Sequence, residues 1–213
     1  MDLSKIGLKS MKRCIAVARA SGRGILASQM PAAVFFLDFV VYPLLILGCL
    51  TIAFDGSTPR QAMINAALVI SGYLAWGLVE YAVHRFVLHH VPFFSAVHRA
   101  HHNASDELIG TPTILSVMIF YCLVYWPGME LLGHRPAAAF SAGLLAGYLF
   151  YAGVHYAVHH LGSGGFAFLQ VLKRQHAMHH HGASEKNFGV TTVFWDRLFG
   201  TLAARPHHAR SPE

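Results

Sequence analysis

In a chain of 213 residues, 54% hydrophobic side chains against 12% charged, a net charge of +6 and a mean hydropathy of +0.44 exclude an ordinary water-soluble domain, whose charged fraction is roughly twice as large. A nucleic-acid module is excluded despite the pI of about 9.4, because the charges make no continuous stripe on a soluble fold. Three scattered cysteines, Cys14, Cys49 and Cys122, give neither a disulfide framework nor a Cys-x-x-Cys metal site.

Residues 1–31 carry Lys5, Lys9, Lys12, Arg13, Arg19 and Arg23, with apolar Leu8, Met11 and Ile15 between them. Such a basic amphipathic segment is expected to lay one apolar face on an anionic membrane surface. The apolar stretch from Cys14 to Ala18 is too short for the core of a cleaved signal peptide. Residues 32–213 are expected to form one membrane domain without solenoid repeats, with Gly162-Ser163-Gly164-Gly165 as an internal hinge.

Four apolar runs follow: Ala32 to Phe54, Ala62 to Val83, Thr113 to Leu132, and Ala137 to Tyr156. At about 1.5 Å per residue, about 20 helical residues cover the hydrocarbon core of roughly 30 Å. The links from Asp55 to Gln61 and from Gly133 to Pro136 are short, whereas His84 to Pro112 and the tail after Ala157 are long and histidine-rich. Runs one and two, and runs three and four, therefore pair as hairpins. Only Arg60 and Arg135 of the sixteen Lys and Arg residues lie in the short links, which places both termini and both histidine-rich segments in the cytoplasm by the positive-inside rule. The expected fold is all-α: an integral membrane four-helix bundle with a cytoplasmic, histidine-rich helical cap. A water-soluble bundle would have to bury almost every residue of four helices, which a chain of this size does not manage.

Of sixteen histidines, ten fall in four clusters: His84 and His89; His98, His101 and His102; His155 and His159; His176, His179 and His180. On a helix, positions i, i+3 and i+4 share a face, so the second and fourth clusters each project three imidazoles one way, and His155 and His159 also share a face. His84 and His89, at i and i+5, stand about 140° apart on an α-helix, so either the helix ends and bends or the two rings approach from different sides. Ten imidazoles exceed the four to six ligands of one ion and suit two ions with roughly five each. A thiolate-free nitrogen set suits iron, zinc, copper or nickel. Zinc changes no oxidation state, so an oxidation calls for iron or another redox metal, although zinc can occupy such a site in a purified sample. His134, in a short link, and His207 and His208, in the polar tail, are not expected to be ligands. His90, His160 and His181 adjoin the clusters, either as partners of ligands or of substrate, or as plain surface imidazoles.

Two carboxylates invite attention because burial near lipid is costly. Glu80, one turn before His84 on its face, and Asp196 in the tail are each either acceptors for a ligand imidazole or plain helix-end carboxylates. Asp38, in the first run, has no partner legible in the sequence.

The four clusters, in this order between these runs, resemble the fatty acid hydroxylase and sterol desaturase superfamily. The stretch Asn187-Phe-Gly-Val-Thr-Thr-Val-Phe-Trp-Asp-Arg-Leu-Phe-Gly-Thr201 is similar to the motif that follows that family's last cluster. The pattern, running from about Glu80 to Thr201, is most similar to the fatty acid 2-hydroxylase branch. The resemblance implies that His84, His89, His98, His101, His102, His155, His159, His176, His179 and His180 ligate a dimetal centre and together form the catalytic site. It further implies dioxygen as co-substrate and a lipid or fatty acyl substrate; the compact chain leaves little material for a soluble cap over the site, so the substrate is expected to enter laterally from the bilayer. Eukaryotic 2-hydroxylases often carry a fused haem domain; residues 1–31 are too short for one, so a separate electron-donor protein is expected.

Rival readings are oxidation of a sterol or carotenoid within the same superfamily, a histidine-rich metal transporter, and a protein that binds metal only for stability. A transporter would place polar ligands near the bilayer midplane with routes to both faces; here the far side offers only His134.

Overall fold

The computed structural model describes residues 29–162, 166–182 and 185–203. The amphipathic segment ahead of residue 29, residues 163–165 of the expected hinge, and His207 and His208 lie outside the described residues.

Four helices are long and apolar enough to cross a membrane: Ala32–Phe54, Pro59–Leu88, Thr113–Leu132 and His134–His160, matching the four runs of the sequence. The first comprises α1 (Ala32–Phe35) and α2 (Asp38–Phe54). The second is α3 (Pro59–Ala82) continued by a π-helical turn, Val83–Leu88. The third contains α5 (Thr113–Phe120), a second π turn at Tyr121–Tyr125 and α6 (Trp126–Leu132), and the fourth is α7 (His134–His160). Two helices, α4 (Pro92–Asn103) and α8 (Ala167–His181), and a short α9 (Phe194–Leu198) complete the described chain, which contains no strand.

Sequence signals account for the ends. Thr58 and Gln61 form a capping box with Pro59 at the first helical position, so α3 starts cleanly after the tight turn at Gly56. Gly133, at φ 87°, ends α6 in a conformation that favours glycine. The two short links meet at one end of the bundle, where Arg135 Nη2 donates to the Asp55 carbonyl (2.8 Å). Asn65 Nδ2 donates to the Ala53 carbonyl across the first hairpin (2.6 Å).

The fourth span is the hub. Its most apolar window is 56% buried, against 11% for the first span and 6% for the third. It presents small residues, Ala139, Gly143 and Gly147, on one face, and a Cβ at Gly143 would collide with the Val69 carbonyl of α3. A Cβ at Gly72 would in turn collide with the Phe140 carbonyl, so the two backbones touch, as small-residue seams allow in lipid. Leu44, Leu47, Met63, Leu74, Ile114, Leu123 and Leu131 point outward and are highly exposed, as lipid-facing side chains should be.

Asp38 now has a partner. The Tyr148 hydroxyl of α7 donates to its Oδ2 (2.6 Å), and Tyr42, one helical turn along, packs at a tilt against the same tyrosine at 4.5 Å while donating to Ser116 Oγ (2.8 Å).

Candidate metal centre

At the end of the bundle opposite the short links, the fourth span delivers His155 and His159, the second delivers His84 and His89, and α4 and α8 supply the remainder. The ten clustered histidines form two groups of five: His84, His89, His98, His102 and His179 in one (pocket A), and His101, His155, His159, His176 and His180 in the other (pocket B). Within each group, one nitrogen of every ring lies within 4.8 Å of the rest.

The π turn resolves the i, i+5 spacing of His84 and His89. Its i→i+5 hydrogen bonding widens the helix, so that i+5 takes up the position that i+4 holds on an α-helix. The helix thus runs on past His84 and widens there, and the two ring centroids stand 5.3 Å apart.

The triplets divide in mirrored fashion. From α4, the i, i+4 pair His98 and His102 faces pocket A while His101 crosses to pocket B; from α8, His176 and His180 face pocket B while His179 crosses to pocket A. His102 and His180 stack at the seam, 4.1 Å apart with planes 9° from parallel.

Nε2 atoms crowd one another. In pocket A, His84 and His98 approach to 3.0 Å, His98 and His102 to 3.0 Å, His98 and His89 to 3.2 Å, and His89 and His179 to 3.2 Å. In pocket B, His159 lies 2.9 Å from His176 and 3.2 Å from His155, and His180 lies 3.0 Å from His176. Lone pairs converging like this repel unless a cation sits among them. Two imidazoles bound to one ion at about 2.1 Å, a right angle apart, would have nitrogens about 3.0 Å apart, whereas tetrahedral ligands would be nearer about 3.4 Å. Both pockets therefore fit a metal ion with near-right-angle ligation, and His101, buried with neither ring nitrogen partnered, is otherwise unaccounted for.

Electrostatics agree. Burial, reinforced by neighbouring imidazoles, pulls His101 and His102 down to about 3 and His179 to about 4, and lowers His89, His98, His176 and His180 as well. These rings are neutral at pH 7 and keep a lone pair for a metal.

A loop braces pocket A. His84 Nδ1 donates to the Phe188 carbonyl and His179 Nδ1 to the Lys186 carbonyl (2.8 Å), so both rings carry their proton on Nδ1 and turn a bare Nε2 inward. The Phe188 ring packs against His84, His89 and His179 at 5.5–5.7 Å. Two buried carboxylates hold this loop by its backbone. Asp196 accepts from Phe188 N (2.8 Å), Gly189 N (2.7 Å) and Thr201 Oγ1 (2.7 Å), while Glu80 accepts from Val190 N, Thr191 N and the Thr191 hydroxyl. Among the described residues, neither carboxylate hydrogen-bonds to an imidazole, and neither is a plain helix-end charge. The loop intervenes because a backbone carbonyl, unlike a carboxylate, accepts an Nδ1–H without adding a charge beside the centre.

The model of the fatty acid hydroxylase family matches residues 69–201, which contain all ten clustered histidines and this bracing loop. The chain belongs to the fatty acid hydroxylase family. Its relatives include the ceramide very long chain fatty acid hydroxylase of Schizosaccharomyces pombe, 30% identical over 197 residues that cover 86% of this chain and 56% of that protein. The dihydroceramide fatty acyl 2-hydroxylase of Arabidopsis thaliana is 32% identical over 63% of this chain and 60% of its own length. For the fatty acid 2-hydroxylase of Homo sapiens the figures are 30% identity, 68% and 41%. The chain thus spans about half the length of the curated relatives it matches. A solved structure titled full-length scs7p, with only the hydroxylase domain visible, shares the fold at a TM-score of 0.67 and 24% identity, covering 85% of this chain and 70% of that one.

Among the described residues, the other histidines of this fatty acid hydroxylase family member stay outside both pockets. His90 Nδ1 donates to the Arg85 carbonyl (2.8 Å), which ties off the π turn, and His160 stacks on Tyr156 at 4.5 Å. His181 and His134 are exposed. The bracing role of the Lys186 and Phe188 carbonyls was beyond sequence reasoning, although the run from Asn187 to Thr201 marked the segment.

Proposed function

We propose that this chain is a membrane-embedded dimetal oxygenase that hydroxylates a lipid acyl chain at the carbon next to its carbonyl. The observation that carries the reading is the pair of five-imidazole pockets with right-angle nitrogen spacing, in a chain of this family. The relatives' names, a ceramide fatty acid hydroxylase and acyl 2-hydroxylases, support the substrate class and position. His84, His89, His98, His102 and His179 would hold one ion, and His101, His155, His159, His176 and His180 the other. Iron ions in these pockets would supply the reduction of dioxygen and the oxidising power needed to break an acyl C–H bond.

The chain's own groups do the remainder. Each pocket offers five imidazoles, and an ion held by five ligands could still accept a small molecule as a sixth. Neutral rings keep the centre's charge on the ions. Tyr151, one turn deeper than His155 on α7, stacks on that ring at 5.4 Å, and Trp76, Tyr148 and Phe120 continue an aromatic packing toward the bilayer interior, which keeps water from the centre on that side. The centre lies at the ends of the apolar spans, which would set it at headgroup depth. A lipid can keep its polar head wet while the adjoining carbon meets the centre, which favours attack beside the carbonyl.

We place both termini and the centre on the cytoplasmic side, on the charge asymmetry of the links. Electrons would come from a separate donor protein. Among the described residues, both potential metal groups lie at one end of the bundle, which favours an enzyme over a transporter.

Lipid mass spectrometry tests the proposal, with cells expressing this protein compared to cells expressing the His101→Ala, His179→Ala double variant, both supplied with iron. Acyl chains heavier by one oxygen atom in the first culture alone, with fragmentation placing it at the second carbon, are expected. Equal lipid profiles, or oxygen on a ring lipid, would overturn it.

A further inference from the structure

The two pockets are alike in composition and unlike in support. In pocket A, His84 and His179 are locked by backbone carbonyls on the loop that Asp196 and Glu80 hold. In pocket B, among the described residues, no ring nitrogen meets a carbonyl or carboxylate. His101 has neither nitrogen partnered, and the Nδ1 atoms of His176 and His180 are buried without partners.

We propose that pocket A binds its metal ion first and more tightly, that pocket B is the weaker and exchangeable site, and that Asp196 and Glu80 are positioning residues setting the difference. The inference rests on the dimetal reading above.

The physical argument has two steps. A neutral imidazole offers one lone pair, on whichever nitrogen lacks the proton. A carbonyl at Nδ1 fixes that proton and leaves Nε2 bare before any ion arrives, so binding costs neither a tautomer shift nor a ring rotation. The same hydrogen bond raises the basicity of the ligating nitrogen. Rings in pocket B lack this preparation, and each must settle its tautomer as the ion enters. Loss of one such outer partner typically costs ten- to a hundredfold in affinity, so a gap of about that size is expected between the pockets.

Asp196 and Glu80 act at one remove. Asp196 receives two consecutive backbone N–H groups, at Phe188 and Gly189, and Glu80 the next two, at Val190 and Thr191. Four successive amides are thereby aimed at two carboxylates, which fixes the Phe188 carbonyl toward His84. A Cβ at Gly189 would collide with the Thr192 carbonyl, and only a glycine lets the chain curl tightly enough round Asp196.

The experiment is a zinc titration of the full chain, stripped of metal in detergent and followed by calorimetry, with the His89→Ala and His159→Ala variants beside it. These two rings contact only their own pocket's histidines among the ten, so each variant reports on one site. Two steps separated by about ten- to a hundredfold are expected, the tight one missing in His89→Ala and the weak one in His159→Ala. Equal steps, or the opposite assignment, would overturn the proposal while leaving two metal sites in place. A chain that binds no zinc would overturn the dimetal reading itself. Asp196→Asn should weaken the tight step at least tenfold and shift the visible bands of cobalt bound there, with the weak step and the helical circular dichroism unchanged; a tight step left intact would remove Asp196 from the account.

Discussion

Glu80 and Asp196 show what a carboxylate near lipid can be kept for. Both are buried, at 3% and 0% exposure, and each collects backbone N–H groups from a loop distant in sequence or at a tight turn. Truncating Glu80 would strand the amides of Val190 and Thr191, each costing about 1–3 kcal/mol when buried without a partner. Glu80→Ala is therefore expected to lower stability by about 3 kcal/mol, and Glu80→Gln, which keeps one carbonyl oxygen for both amides, by less than half of that. Thermal unfolding of the three proteins in one detergent measures it, and equal midpoints would contradict the assignment. The ten ligating candidates were legible because their spacing is short-range, a matter of i+3, i+4 and i+5. The carboxylates' partners were not, since Glu80 meets Thr191 across a separation of 111 residues, and Asp38 meets Tyr148 across 110.

Among the helices, the sequence displays hydropathy plainly and contact poorly. All four spans were visible as apolar runs, because lipid demands length and apolarity of every one of them. Which span is central was not, since mean apolarity does not distinguish a helix buried in protein from one facing lipid. The deciding signal is side-chain size, with Gly143 and Gly147 on α7 meeting Val69 and Trp76 on α3. Gly143→Ala would drive a methyl group into a backbone carbonyl that cannot step aside, a cost of about 1–3 kcal/mol and a splayed α3–α7 pair. Gly48→Ala is the control, because nothing lies within 4 Å of a Cβ there, and helix propensity should make it neutral or stabilising by up to about 1 kcal/mol. A protein that tolerates both substitutions equally in unfolding midpoint and zinc affinity would refute the close approach. The π turn is the second element-scale feature hidden from pattern reading, since a period of 3.6 has no place for an inserted residue, yet that residue brings His89 back beside His84.

For the molecule as a whole, link length carried the hairpin pairing, and the contact of Arg135 with the Asp55 carbonyl bears out that both short links share one end. The ten clustered histidines are gathered at the other end, and this has a consequence for acid stability. In the folded, metal-free protein, burial holds His101 and His102 near about 3 and His179 near about 4, whereas in an unfolded chain they return to about 6.5. Between those values the unfolded state binds more protons than the folded one, so acid favours unfolding there. The stability contributed by these neutral rings is complete above about pH 6.5, falls as the pH drops from about 6.5 toward about 4, and levels off near about 3, where the folded rings are protonated too. The metal-free protein should accordingly show an unfolding midpoint that declines steadily across that window, measured by thermal scans at a series of pH values in one detergent. The His101→Ala, His179→Ala variant should show a shallower decline, because two of the responsible rings are gone. Zinc-loaded protein should resist acid to a lower pH, since a bound ion must be displaced before a proton can take its nitrogen, and then lose stability and metal together. A midpoint indifferent to pH between about 6.5 and 4 in the metal-free protein would mean that the rings are already charged or open to water, and the close nitrogen packing of both pockets would have to be abandoned.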